Sequence, residues 1–263
     1  MTQTTSSPWT LAPGEHVCWR ADSLREFTAG REALAAQAGR CAGGLLVLDG
    51  TSVGTTDPSA AQPASSAAAA GQDAGSKLLA VRERMRQWDG GGAVPWVLAS
   101  MEQLSVPDAP VAEVVALELE LAELAAATNT AVVCAYQASL WQPAVLRDIV
   151  AVHSRIVGID AGSAGFRLRL LGGHSYVLEG SVGFESLRAF ATALRGALIR
   201  TPHLRLGCER LELIEAAGWR VLVETVAGTP GASLLLEGVN ETVHGAWLLS
   251  GYGAAGIAVQ VQS

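Results

Sequence analysis

"LRLGCERLELIEAAGWRVLVETVAG", residues 204–228, decides the fold. It reads as a strand, a tight turn and a helix. The turn, Ile214-Glu215-Ala216-Ala217-Gly218, is small and acidic and contains no hydroxyl. The same rhythm continues on both sides of it. "FRLRLL" (166–171) and "SYVLEGSV" (175–182) read as strands, and "GFESLRAFATALRGALI" (183–199) as a helix. After the turn helix come the strand "SLLLEGV" (233–239), the helix "NETVHGAWLLSGY" (240–252) and the strand "IAVQV" (257–261). Strands alternating with helices over about a hundred residues predict an α/β layer with right-handed crossovers, a domain of its own.

Upstream, "GIDAGSAG" (158–165) marks a boundary, and a second α/β pattern precedes it. "HVCW" (16–19) is a short strand, followed by the helix "DSLREFTAGREALAAQAGRC" (22–41), where Ser23 and Glu26 have capping-box spacing. "GGLLVLDG" (43–50) is the continuous apolar run of a strand buried on both faces. Residues 51–76 are low in complexity and predict a flexible insertion. The helix "KLLAVRERMRQW" (77–88) and the strand "PWVLASM" (95–101) come next. "GQDAGSK" (71–77) resembles a phosphate-binding loop but is one residue short, has Ser and Lys in the wrong order and follows no strand. It predicts a linker, not a nucleotide site.

The helix predicted over 108–129 begins with an Asp108 cap and Pro110. Val111, Val114, Leu117, Leu121, Ala122 and Ala125 form one apolar arc at helical spacing, with Glu113, Glu120 and Glu123 outside it. Glu118 falls inside. "AVVCAY" (131–136) is a buried strand, and "QPAVLRDIVAVHSRIV" (142–157) a further helix whose stripe of Leu146, Ile149, Val150, Ile156 and Val157 contains His153. Two ionisable groups are thus turned toward apolar surroundings. A buried carboxylate without partners costs several kcal/mol, so Glu118 has either a structural partner, Tyr136 or backbone, or a place in a small-ligand pocket.

Composition sets the outer limits. The chain of 263 residues carries a net charge of −7, with Lys77 as its one lysine, and lacks a basic stripe. Direct nucleic-acid binding is therefore not expected. No apolar run reaches a membrane span and no signal peptide is expected, so the predicted compartment is the cytoplasm. Cys18, Cys41, Cys134 and Cys208 lie far apart without a CxxC and read as reduced thiols. Neither a metal nor a cofactor is expected.

The order of elements over 166–262, with the turn at Glu215-Ala216-Ala217-Gly218, resembles the STAS domain of bacterial anti-sigma-factor antagonists. In that family a Ser or Thr just before the turn glycine is phosphorylated by a kinase that is also the anti-sigma factor. Here alanines stand at the hydroxyl positions, so the resemblance implies a domain that docks without the usual phosphate switch. Its contact surface is expected at Glu215, Ala216, Ala217, Gly218 and Trp219, with an anti-sigma factor or related regulatory kinase as partner. Residues 11–158 resemble the MEDS domain, through "PGEHVCW", "VPWVLASM", the helix bearing Glu118, "VVCAY" and "LRDIVAVHSRIV". That resemblance implies a RecA-like α/β layer without its nucleotide loop, which senses a small, apolar molecule. The Ala/Ser tract is a departure from it.

The resulting expectation is a non-catalytic cytoplasmic regulator with ligand contacts at Glu118, Tyr136, His153, His16 and Trp19. Trp96 and Trp141 are further candidates for lining the same cavity. Two alternatives stand beside it. One is an assembly module, such as a homodimer, without a ligand. The other is an enzyme using Glu118 and His153 as acid and base and Cys134 as nucleophile.

Overall fold

The computed structural model describes residues 9–41, 44–49, 52–55, 74–87, 94–105, 109–158, 165–172, 175–254 and 258–263. The Asp108 cap, residues 56–73 of the predicted insertion and residues 159–164 of the predicted boundary lie outside them. The chain is an α/β protein with two sheets and forms two compact units. One comprises Met1–Pro107, Leu124–Trp141 and Arg155–Ile159; the other comprises Asp108–Glu123, Gln142–Ser154 and Asp160–Ser263. No helix among the described residues is long and apolar enough to cross a membrane.

The first unit is built on β1 (His16–Ala21), β2 (Leu45–Asp49), β3 (Ser52–Thr55), β4 (Trp96–Ser100), β5 (Val132–Gln137) and β6 (Arg155–Gly158), in the order β3-β2-β4-β5-β1-β6. Five strands are parallel, and β3 lies antiparallel at the edge against β2. Parallel strands are covered on both faces, and β4 accordingly is buried at every position. Alternation sends Val17, Trp19, Ala21, Leu45, Val47, Trp96, Leu98, Val133 and Ala135 to one face, where α1 (Leu24–Cys41) supplies Leu34 and Ala38. His16, Cys18, Cys134 and Tyr136 take the other face. The turn into α1 keeps one half of the predicted capping box, with Glu26 N donating to Ser23 Oγ (3.2 Å), while Glu26 Oε2 accepts from Asp22 N (2.8 Å), one residue before the cap. The helix α2 (Ala74–Arg86) and the short α3 (Met101–Leu104) complete this part.

The second unit carries β7 (Phe166–Gly172), β8 (Ser175–Val182), β9 (His203–Gly207), β10 (Leu211–Ile214), β11 (Ser233–Glu237) and β12 (Val259–Val261). β7 is antiparallel to β8; all other pairings are parallel. Its helices are α6 (Leu187–Arg200), α7 (Ala216–Ala227) and α8 (Glu241–Ser250). Asn240 caps α8 through its side chain, accepting from Val243 N at 2.9 Å. Most of α4 (Val111–Thr128) and all of α5 (Pro143–Ile149) group with this sheet, although the sequence pattern assigns both to the first domain. α4 ends at Asn129, whose φ of 53° is left-handed.

Four expectations change. The predicted strand 204–214 is two strands, β9 and β10, separated by Cys208-Glu209-Arg210, where Leu211 N donates back to Cys208 O. Residues 52–55, assigned to the flexible insertion, form β3, and α2 begins at 74. The helix predicted to run to 157 stops at Ile149; a 3-10 turn (Val150–Val152) follows, and Ile156 and Val157 belong to β6. The short, β-branched run "RIV" extends where it pairs with β1, so tertiary pairing outweighs the helical spacing. Finally, α4 is buried on more than one arc, since Val115, Leu119 and Leu124 are as enclosed as the predicted stripe.

Candidate functional site

His153 is not in the middle of a helix. It caps the 3-10 turn in an extended conformation (φ −106°, ψ 148°), and this turns its ring inward. Its Nδ1 lies 2.9 Å from Ile149 O, and its Nε2 lies 3.0 Å from Glu118 Oε2, off the line of a straight hydrogen bond. Both side chains are completely enclosed. A carbonyl oxygen only accepts, so the Nδ1 facing Ile149 carries hydrogen. Nε2 and the carboxylate oxygen then face each other with a proton on one of them, since two lone pairs at 3.0 Å in a buried site repel. The pair holds either an imidazolium and a carboxylate or a neutral ring and a carboxylic acid.

A second buried pair lies in the first unit. His16, the first residue of β1, brings Nε2 to 3.2 Å from Cys134 Sγ on β5. β1 and β5 run parallel with His16 opposite Val132 and Cys18 opposite Cys134, so His16 and Cys134 stand diagonally on the same face. Tyr136, two residues further on β5, shares that face and is fully buried, with Trp141 packed edge-on against its ring (5.2 Å between centroids). Trp141 is held in turn by Glu102, which accepts from Trp141 Nε1 (3.2 Å) and from Gln137 N.

Trp19 and Trp96 point the other way. Both belong to the core under α1, where Trp19 stacks on Phe27 and meets Trp9 edge-on. Gly30 is required there, because a Cβ would sit 2.2 Å from Trp19 Cζ2. Trp19 is therefore packed on the face opposite His16 and Tyr136, and Trp96 does not share a cavity with Trp141.

An imidazole with a thiol, and an imidazole with a carboxylate, are each two-donor sets. Imidazole, thiolate and carboxylate are all zinc-ligand types. Cys208, beyond the first sheet, is chemically quiet: burial, with Glu209 nearby, pushes its thiol up to about 12.

The turn at 214–218 caps α7 in an unusual way. Glu215 is the N-cap residue, yet its carboxylate accepts from Phe184 N (3.1 Å), not from its own helix. Gly218 packs α7 onto the sheet: an added Cβ would meet Ile214 Cγ2 at 2.8 Å and Val182 Cγ1 at 3.0 Å. Glu215 and Ala216 are exposed and Ala217 half-buried, but Trp219 is fully buried against Trp247. Trp219 thus belongs to the core and presents nothing to a partner. Among the described residues the exposed aromatic is Phe184, 78% accessible, which the sequence reading passed over. A groove of about 860 Å³ runs beside the turn, lined by Arg147, Asp148, Phe184, Arg188 and Glu215 among others. Within it Arg188 Nη2 bonds Asp148 Oδ1 (2.9 Å) and Ala144 O (2.6 Å). Burial pushes the Asp148 carboxyl above the ordinary carboxylate range, against the opposing pull of Arg188.

Comparison of the chain with family models, with curated proteins and with solved structures found no match.

Proposed function

We propose that the protein is a non-catalytic signalling regulator. It senses a small, apolar molecule through a MEDS-like domain and binds a regulatory partner, of the anti-sigma-factor kind, through a STAS-like domain that cannot be phosphorylated at its turn. The enclosed Glu118–His153 pair carries this reading: an ionisable pair with no exposed surface fits recognition of a ligand drawn out of water. The five parallel strands, with the first between the fourth and the fifth, form an open α/β layer, which supports the MEDS resemblance and its RecA-like expectation. The capped turn after β1 supports it too, since the amide hydrogens that a nucleotide loop would aim at phosphate are taken by Ser23 and Glu26. For the second domain, the support is the exposed Glu215-Ala216 turn next to exposed Phe184.

Thermal-shift screening of the full chain against a panel of small halogenated and unhalogenated hydrocarbons and alcohols tests the sensing half. A compound that raises the melting temperature of the parent but not of Glu118→Gln supports it; equal shifts in both place the ligand elsewhere. Binding of an anti-sigma kinase, with and without ATP, tests the other half, and complex formation that ATP leaves unchanged is the expected result.

A second reading rests on one distance. Cys134 Sγ and His16 Nε2, 3.2 Å apart, have the nucleophile-and-base pairing of covalent catalysis. Both groups are buried, so this reading requires a substrate small enough to enter the sheet face. Turnover lost on Cys134→Ala would establish it.

A further inference from the structure

We infer that the Glu118–His153 pair is a latch whose state is transmitted to the Glu215 groove through Asp148 and Arg188. The inference rests on the sensing reading above and adds its output. The contacts form an unbroken path within the second unit. Glu118 Oε2 holds His153 Nε2 at 3.0 Å, and His153 Nδ1 holds Ile149 O at 2.9 Å. The neighbouring residue, Asp148, binds Arg188 Nη2 at 2.9 Å, and Arg188 stands in the wall of the groove with Phe184 and Glu215. His153 O also accepts from Arg167 Nη1 on β7 (2.7 Å), so the residue is held through its backbone as well as through its ring.

The same two segments clamp α6 at both ends. Near its start, Arg188 is fixed to α5 through Asp148 and Ala144 O, and Thr192 Oγ1 lies 3.5 Å from Asp148 Oδ2. At its end, Arg200 pairs with Glu120 and Glu123 of α4. Between these points α4 and α6 approach so closely that a Cβ on Gly196 would lie 2.4 Å from Val115 Cγ1. Glu118 and His153 join α4 to the segment that follows α5, and so close the frame around α6. A ligand that separates the pair removes the tie between the two clamps. Packed interfaces shift between discrete arrangements instead of deforming smoothly, so the mobile step is the seat of α5 on α6. Its read-out is the position of Arg188 beside the turn where a partner docks. Glu118 is in this sense a positioning residue.

Hydrogen exchange of the full-length chain, read by mass spectrometry, tests this without a ligand. Glu118→Ala is expected to speed exchange over residues 184–190 roughly fivefold or more, the lower end of ordinary coupling between sites. Exchange in α8 (Glu241–Ser250) should stay unchanged, Glu118→Gln should restore the parent rate, and in an Arg188→Met background Glu118→Ala should add nothing further. The inference is overturned if residues 150–154 loosen while 184–190 do not, or if 184–190 and α8 speed up together. Should Glu118→Ala fail to fold, Asp148→Asn is read at the His153 ring resonances: a shift supports the path, and no shift removes it. Because the test needs no ligand, finding none in the thermal-shift screen would defeat the sensing reading and leave this path standing. A silent groove would do the reverse.

Discussion

Replacing Glu118 in two ways separates its charge from its hydrogen bond. Glu118→Ala removes one member of a fully enclosed pair and leaves His153 facing a void. Breaking a buried pair in this manner costs about 3–5 kcal/mol. For a protein of this size that corresponds to a fall in melting temperature of roughly 6–20 °C. Glu118→Gln keeps the shape. With Nδ1–H committed to Ile149 O, a neutral His153 offers the Nε2 lone pair, and the new amide can donate to it. The loss should then stay within about 1.5 kcal/mol, the worth of an ordinary hydrogen bond. Urea unfolding of the parent and both variants, followed by far-UV circular dichroism, measures the difference. Equal losses for Gln and Ala would refute the proton arrangement deduced for the pair, and an Ala variant within 1 kcal/mol of the parent, on the order of a mutation at an exposed site, would refute its enclosure.

Further outcomes follow from other sites. Burial holds the Asp148 carboxyl above its unfolded value, so native Asp148 binds its proton first as pH falls. The stability of the parent relative to Asp148→Asn should therefore improve from neutral pH to mildly acid pH in paired denaturant titrations; a decline would mean that the Arg188 ion pair dominates. Of the four thiols only Cys41 is exposed, so native protein at pH 8 should take up one equivalent of a thiol reagent quickly, while Cys208 stays unlabelled. Rapid labelling at Cys208 would contradict its burial. Phe184→Ala should weaken partner binding without lowering the melting temperature, because the ring is exposed, whereas Trp219→Ala should lower the melting temperature by several degrees. Elemental analysis should find no stoichiometric metal; one zinc per chain, lost on Cys134→Ser, would replace the ligand reading by a metal centre.

The second sheet was legible nearly strand for strand because each strand and helix there has its own period and its own turn signal. The sequence pattern also exposed Glu118, since a carboxylate among Val114, Leu117 and Leu121 is anomalous on any helix. It placed His153 in the core for a mistaken reason: the apolar run 149–157 continues a helical spacing that β6 interrupts by pairing with β1. The His16–Cys134 pair was out of reach, because only the parallel register of β1 and β5 sets those residues diagonally across from each other, 118 positions apart. Glu120 and Glu123 read as solvated residues, yet they meet Arg200 on α6. The contact with α6 lies off the apolar stripe, so a single stripe could not foretell it. The exposure of Phe184 left no mark either, since an apolar residue at the start of a helix reads as core.

Native mass spectrometry of the full chain, purified gently and then incubated with the compound that stabilises it, puts the central claim to trial. The account predicts a complex whose added mass equals the intact compound, stable over hours, and absent in Glu118→Gln. Release of a chemically altered product, abolished by Cys134→Ala or His153→Ala, would contradict it.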